Sequence, residues 1–290
     1  MSYCCYNESI LSTNERNKSL KWSELSYAKE YRVPFGEEPL AYSWPLCFLK
    51  RKGHLFTTTN GEPVPLNIKE PDMNFELPKQ FLELVHIQKN LTPSQIEIAK
   101  YWGDGPPSKQ FMPIVDILID TYGVSACRAA RILYILNGAL NDTCNVTWYL
   151  KYKFDVLRPN QFNQSFKTLI CTPRHPSYPA GHSTMAGCMC EILAYFFPAE
   201  REKLEFLAEE CSVSRLYGGV HYRADCDEGV ILGKSIAKAI LKGLKKDINA
   251  EGLLIDQPYT EFKDANIIPE THKQYIPFDR PNKCTSALLD

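Results

Sequence analysis

The sequence predicts an all-α fold, a helical bundle with irregular N- and C-terminal extensions. Three observations predict it. From about Leu77 apolar residues recur at three- and four-residue steps; only one short segment has strand-and-turn chemistry; and both ends of the 290-residue chain are Pro-containing irregular sequence without a helical period.

Residues 1–75 read as an irregular N-terminal wrap. Asn60-Gly61, between Phe56–Thr59 and Val64–Leu66, has the chemistry to turn a short hairpin. Tyr27, Tyr31, Trp44 and Phe48 are too many aromatics for a solvated tail, so the segment is expected to lie ordered over the main domain. Residues 76–250 form the helical domain. Its candidate helices are Lys79–Lys89, Pro93–Trp102 capped by Thr92, Pro113–Tyr122, Ser125–Leu136, Asp142–Lys153, Ser183–Phe197, Ala199–Leu216 and Cys226–Lys246. After His182, the residues Met185, Cys188, Met189, Ile192, Leu193 and Phe196 make a stripe that faces a core, and Leu232, Ile236, Ile240 and Leu244 repeat the pattern in the last helix. Residues 251–290 return to Pro-rich irregular sequence, and no internal repeat is visible.

Hydrophobic residues make up 44% and charged residues 23%, an ordinary globular composition. A net charge of −1 offers no general attraction to nucleic acid or acidic membranes, so any anion must be held by a local cluster of cations. No window reaches the roughly 18 uninterrupted apolar residues of a membrane span; Phe111 to Leu140 is broken by Asp116, Asp120, Arg128 and Arg131. The eleven cysteines, including the adjacent Cys4 and Cys5, lack zinc-ligand spacing. Met1 to Arg16 lacks the pattern of a signal peptide, and together these features point to free thiols in the cytoplasm.

Three segments carry chemistry. In the first, Lys151 ends a helix and Pro159 forces Arg158 out of helical conformation; alone, this reads rather as basic residues at a helix C-terminus. In the second, Pro176, Pro179 and Gly181 build a rigid turn that delivers His182 to a helix N-terminus, where free N–H groups favour an anion and Gly181 permits its close approach; alone, it is a helix-entry loop whose histidines hydrogen-bond. In the third, Arg215 shares a helix face with Leu204, Ala208 and Cys211, so its guanidinium points inward and needs a buried partner. Asp225 is spaced to orient His221, or to serve as a helix cap with Glu228.

In combination, Lys151-x6-Arg158-Pro159, Pro179-Ala180-Gly181-His182 and Ser214-Arg215-x5-His221-x3-Asp225 resemble the tripartite signature of the vanadium-dependent haloperoxidase and type 2 phosphatidic acid phosphatase superfamily. The resemblance covers about 75 residues and implies that superfamily's helical bundle. Three permanent cations, Lys151, Arg158 and Arg215, suit a tetrahedral oxyanion. The resemblance further implies that His221 is the nucleophile toward phosphorus or the direct ligand of vanadium, that His182 is the acid–base group, and that vanadate is the cofactor, with phosphate able to occupy the same site.

The same pocket serves two reactions, oxidation of halide by hydrogen peroxide or hydrolysis of a phosphomonoester through a phosphohistidine. His175, seven residues before His182, resembles the loop of algal bromoperoxidases, while Trp148, three before Lys151, resembles chloroperoxidases. These loops favour the haloperoxidase branch, with the phosphatase as the alternative and a purely anion-binding relative as a third reading. The sequence departs from the family at Ala180, where serine is usual, and the missing hydroxyl is expected to weaken oxyanion binding.

Overall fold

The structure is a computed structural model; residues 21–71 and 76–276 are described. Eight α-helices dominate the described residues: α1 (Leu77–Lys89), α2 (Pro93–Gly103), α3 (Ser108–Thr121), α4 (Ala126–Phe154), α5 (Pro159–Phe162), α6 (Gly181–Phe196), α7 (Arg201–Tyr217) and α8 (Arg223–Leu244). The one sheet among the described residues is a hairpin of β1 (Leu49–Lys52) and β2 (Leu55–Thr58), antiparallel with Leu49 opposite Thr58. It turns at Gly53, whose φ of +61° suits glycine. Asn60-Gly61, expected to make the hairpin, makes a second and smaller return that brings the Val64 amide to the Phe56 carbonyl at 2.9 Å.

Helix α6 is the axis of the bundle. It packs against α8, α7 and α4, and nearly all of its residues are buried. Small residues let α6 and α8 meet backbone to backbone. A Cβ at Gly233 would fall on the Thr184 carbonyl, and one at Gly187 would lie 2.5 Å from the Val230 carbonyl oxygen. This contact fixes His182, at the start of α6, relative to His221 and Asp225, around the start of α8.

Two expected boundaries are corrected. Ser125–Leu136 and Asp142–Lys153 are parts of one 29-residue helix, α4. Gly138 does not break it. A Cβ there would come within 2.6 Å of the Phe48 ring, so the glycine is a notch that receives the N-terminal segment. Helix α3 starts at Ser108 rather than Pro113, which lies within its second turn. Helices α1, α2, α6, α7 and α8 lie within three residues of expectation at each end, and the four-residue α5 was not expected. Thr92 caps α2 through a reciprocal bond with Gln95.

The N-terminal segment is fastened to α4 by one carboxylate. Asp142, fully buried, accepts from the amides of Cys47 (2.7 Å), Phe48 (2.7 Å) and Leu49 (2.9 Å). Further along, Gln161 Nε2 donates to the carbonyls of Trp22 (2.9 Å) and Leu25 (2.8 Å). Cys47, Cys127, Cys144, Cys188, Cys190, Cys211 and Cys226 are free; Cys4, Cys5 and Cys284 lie outside the described residues. No helix among the described residues is long and apolar enough to cross a membrane.

Candidate functional site

The three signature segments converge on one buried cluster. Lys151 lies in the last turn of α4 with its ammonium fully buried, donating to the carbonyls of Pro176 (2.8 Å) and Ser177 (2.9 Å). These carbonyls belong to the loop between His175 and His182, so the lysine holds the loop that presents both histidines. Arg158 caps α5, its amide bonded to Gln161 Oε1 at 2.8 Å and its guanidinium fully buried. It donates to the carbonyls of His175 (2.9 Å) and Val220 (2.7 Å), to His175 Nδ1 (3.0 Å) and to His221 Nε2 (3.0 Å). Arg215, in the last turn of α7, donates to Ser214 Oγ from Nε (3.0 Å) and Nη2 (2.9 Å) and reaches the Ala99 carbonyl at 3.4 Å.

Among the described residues none of these cations is ion-paired with a carboxylate; the site's carboxylate, Asp225, pairs with His221 instead. Unpaired buried charge is costly, and it is tolerable where an anion completes the site. Burial pulls the Lys151 ammonium well below its usual range, and neighbouring Arg158 adds to the effect.

His221 opens the turn before α8. Its Nδ1 lies 2.9 Å from Asp225 Oδ2, an oxygen that also accepts from Ser177 Oγ (2.5 Å) and the Tyr222 amide (3.0 Å). A carboxylate partner places the proton on Nδ1, which leaves the Nε2 lone pair to receive Arg158 and to serve as nucleophile or ligand. Asp225 is the third residue of α8 and accepts from the amide of the N-cap residue Tyr222, so orienting and capping roles coincide. Glu228 is not its capping partner, since that carboxylate accepts from the Lys69 amide at 3.0 Å.

His182 is the second residue of α6, and its Nε2 is buried without a hydrogen-bond partner. Burial is the largest cause holding His182, His221 and His175 well below the ordinary histidine range, and the surrounding cations add to it. All three rings are therefore neutral near pH 7.

Trp148 stacks obliquely on His175, with ring centroids 4.8 Å apart, and its indole donates to the Glu37 carbonyl at 3.2 Å. Gly181 adjoins both Trp148 and Lys151; a Cβ there would lie 3.7 Å from the indole and 3.8 Å from Lys151 Cε. Ala180 is the N-cap of α6, fully buried in a small apolar cluster with Leu84, Leu216 and Cys226. Every residue singled out in the sequence therefore lies in or beside one site. Sequence reasoning missed the hydroxyl of Ser177, which bonds the orienting carboxylate. Its only signal was its place between His175 and His182.

Residues 127–248 match the family model of the PAP2 superfamily. The chain carries a PAP2 superfamily domain. Curated relatives of this domain include vanadium-dependent bromoperoxidases of Corallina officinalis, 29% identical over 98 aligned residues, and of Corallina pilulifera, 30% identical over 98. Each match takes in 24% of this chain and 16% of the relative. Among solved structures, a bacterial vanadium-dependent iodoperoxidase aligns with a TM-score of 0.60 at 20% identity, covering 74% of this chain and 59% of its own. An apo-type bacterial vanadium-dependent chloroperoxidase aligns with a TM-score of 0.58 at 12% identity, covering 78% of this chain and 62% of its own. This likeness to solved structures is one of fold. The PAP2 superfamily fold is thus shared with these haloperoxidases, while the chain spans less than two thirds of either neighbour.

Proposed function

We propose that the site binds vanadate and that the protein is a vanadate-dependent haloperoxidase, using hydrogen peroxide to oxidise halide. The single observation that carries the reading is the cluster of three buried cations without carboxylate partners, set around the Nε2 atoms of two neutral histidines. This donor set fits a tetrahedral oxyanion: three basic side chains bring hydrogen-bond donors and positive charge to one buried cluster beside the two histidines. Among the described residues no group of three or more His, Cys, Asp and Glu is arranged to hold a bare metal ion. Vanadium is therefore expected to arrive as the oxyanion.

When bound, vanadate supplies a Lewis-acidic centre that activates hydrogen peroxide toward halide. His221 would hold it through Nε2, with Asp225 fixing the ring and supporting its basicity. Lys151, Arg158 and Arg215 would hold its oxygens and offset the charge that develops there. His182, neutral and with Nε2 uncommitted, is placed to take a proton and return it.

Two observations support halide oxidation over phosphate-ester hydrolysis. The 98-residue stretch shared with the bromoperoxidases is one, and the neutral His175 packed between Arg158 and Trp148 is the other. The alternative is a phosphatase in which His221 Nε2 attacks phosphorus and His182 protonates the leaving oxygen, because the same atoms are available for it. The free thiols of Cys47, Cys127, Cys144, Cys188, Cys190, Cys211 and Cys226 suit a reducing compartment, and we infer a cytoplasmic location from them. The test is an assay of bromide and iodide oxidation with hydrogen peroxide, with and without added vanadate, beside a phosphomonoester assay. Vanadate-dependent halide oxidation is expected; ester turnover without peroxidase activity would favour the phosphatase.

A further inference from the structure

Ser177 is fully buried, and its amide, carbonyl and hydroxyl meet three different partners. The amide donates to the Val156 carbonyl at 2.8 Å, the carbonyl accepts from Lys151 Nζ at 2.9 Å, and the hydroxyl donates to Asp225 Oδ2 at 2.5 Å. Lys151 and Val156 belong to the first signature segment and Asp225 to the third, so one residue of the middle segment joins the other two. The same hydroxyl oxygen lies 3.3 Å from His221 Nδ1. The loop therefore holds Asp225 in two separate ways. The Ala180 amide donates to the main-chain carbonyl of Asp225 at 2.9 Å, whereas Ser177 holds the side chain.

The donors to the Asp225 carboxylate all fall on one oxygen. Oδ2 accepts from Ser177, from His221 Nδ1 (2.9 Å) and from the Tyr222 amide (3.0 Å), while Oδ1 is buried without a hydrogen-bond partner. His221 and Tyr222 are near neighbours of Asp225 in sequence, so Ser177 is the donor that ties this oxygen to the rest of the site. We propose that Ser177 is a positioning residue for His221: by fixing Asp225 Oδ2 from the loop that Lys151 holds, it aims the Nε2 atom of the ring at the oxyanion. A hydroxyl suits the task. Its one proton goes to the carboxylate, which leaves its lone pairs free to face the imidazole N–H, and that proton then meets oxygen on two sides. The demand is greatest once the anion is bound. Arg158 otherwise steadies the ring through Nε2, but an oxyanion on that atom takes the place of the guanidinium and leaves the Nδ1 side to orient the ring. The inference rests on the proposed reading that His221 Nε2 is the atom that meets the oxyanion.

The test reads the His221 Nδ1 proton in the ligand-free protein by nitrogen-15-edited NMR, with its signal assigned by loss in His221→Gln. Ser177→Ala deletes the hydroxyl and leaves the main-chain bonds to Val156, Lys151 and Asp225 in place, so circular dichroism should show the fold retained. In this variant the Nδ1 proton should move upfield and exchange faster with water, because the carboxylate is no longer held against the ring. A purely electronic role predicts the reverse, since an oxygen relieved of one donor bonds the others more strongly. Vanadate affinity by equilibrium dialysis should fall on the order of ten- to a hundredfold, a common range for lost supporting partners. Ser177→Thr keeps the hydroxyl and should recover most of both signals. An Nδ1 proton that stays in place or moves downfield in Ser177→Ala would overturn the proposal. So would unchanged vanadate affinity in that variant, or a folded threonine variant as impaired as the alanine one. The NMR arm needs no ligand, so a wild-type protein that fails to bind vanadate would sink the haloperoxidase reading while the part played by Ser177 is still decided.

Discussion

Arg158 donates from Nη1 to Nε2 of His221 across 3.0 Å, so a permanent cation covers the lone pair expected to bind the oxyanion. Through Nη2 the same guanidinium reaches His175 Nδ1, also at 3.0 Å. An anion bonded at His221 Nε2, as proposed, would displace the first contact and offer its own oxygen to the freed N–H, exchanging one hydrogen bond for a charge-assisted one.

The two histidines should separate cleanly under mutation. His221→Ala removes the Nε2 attachment point and is expected to abolish vanadate attachment, or phosphohistidine formation in the phosphatase case. His182→Ala should keep anion binding and lose turnover. Equilibrium dialysis of vanadate beside activity assays checks this, and equal loss of binding in both variants would contradict the division of roles.

Asp225→Asn is expected to be nearly isosteric yet damaging. The amide would donate toward His221 Nδ1 and place the imidazole proton on Nε2, removing the lone pair. Ser177 Oγ and the Tyr222 amide also meet Oδ2, so the orientation of the new amide is contested from three sides. Loss of activity of about ten- to a hundredfold is expected, with the fold retained by circular dichroism. Near-wild-type activity would show that the carboxylate does not set the tautomer.

Acid should destabilise the ligand-free protein in a defined window. His175, His182 and His221 are held below their ordinary value, so below pH of about 6.5 the unfolded chain binds more protons than the folded one. Stability therefore falls as pH drops from there, at a limit of about 1.4 kcal/mol per pH unit for each group. Asp225 works in the opposite sense. Its carboxyl, pushed up to about 6 by burial, keeps a proton in the folded state between about 3.9 and 6 that the unfolded chain has released. Urea denaturation across pH 5 to 7.5 should show the net decline toward acid, and a flat profile would contradict it.

Ala180→Ser should strengthen the site in two ways. Ala180 is the N-cap of α6, where a serine hydroxyl contributes about 0.5–2 kcal/mol relative to alanine. The same hydroxyl would add a donor beside Gly181. Ser183, three residues on, lies 2.8 Å from Ser212 Oγ and accepts its hydrogen bond. A higher urea midpoint and tighter vanadate binding are expected. The apolar cluster with Leu84, Leu216 and Cys226 limits the gain in affinity to less than about tenfold. If neither quantity moves, the hydroxyl points into that cluster instead.

Much of this was legible in the sequence because the relevant signals are local. The spacing of Lys151 and Arg158, the turn before His182, and the pair Arg215 and His221 each sit within one element or at its edge. Helix α4 was misread as two because a mid-helix glycine looks like a break until Phe48, about ninety positions away, is seen packed on Gly138. Ser177 was missed for a related reason. Its partner Asp225 lies 48 residues away, and a serine between two prolines carries no signal until the chain folds.

The most direct test of the central claim is calorimetric titration of orthovanadate into the wild-type protein at neutral pH, repeated in the presence of phosphate. Three buried cations without carboxylate partners and an oriented His221 predict saturable binding of a single vanadate per chain, with phosphate competing for it. Absence of saturable binding, or binding indifferent to phosphate, would show that the cluster is not an oxyanion site.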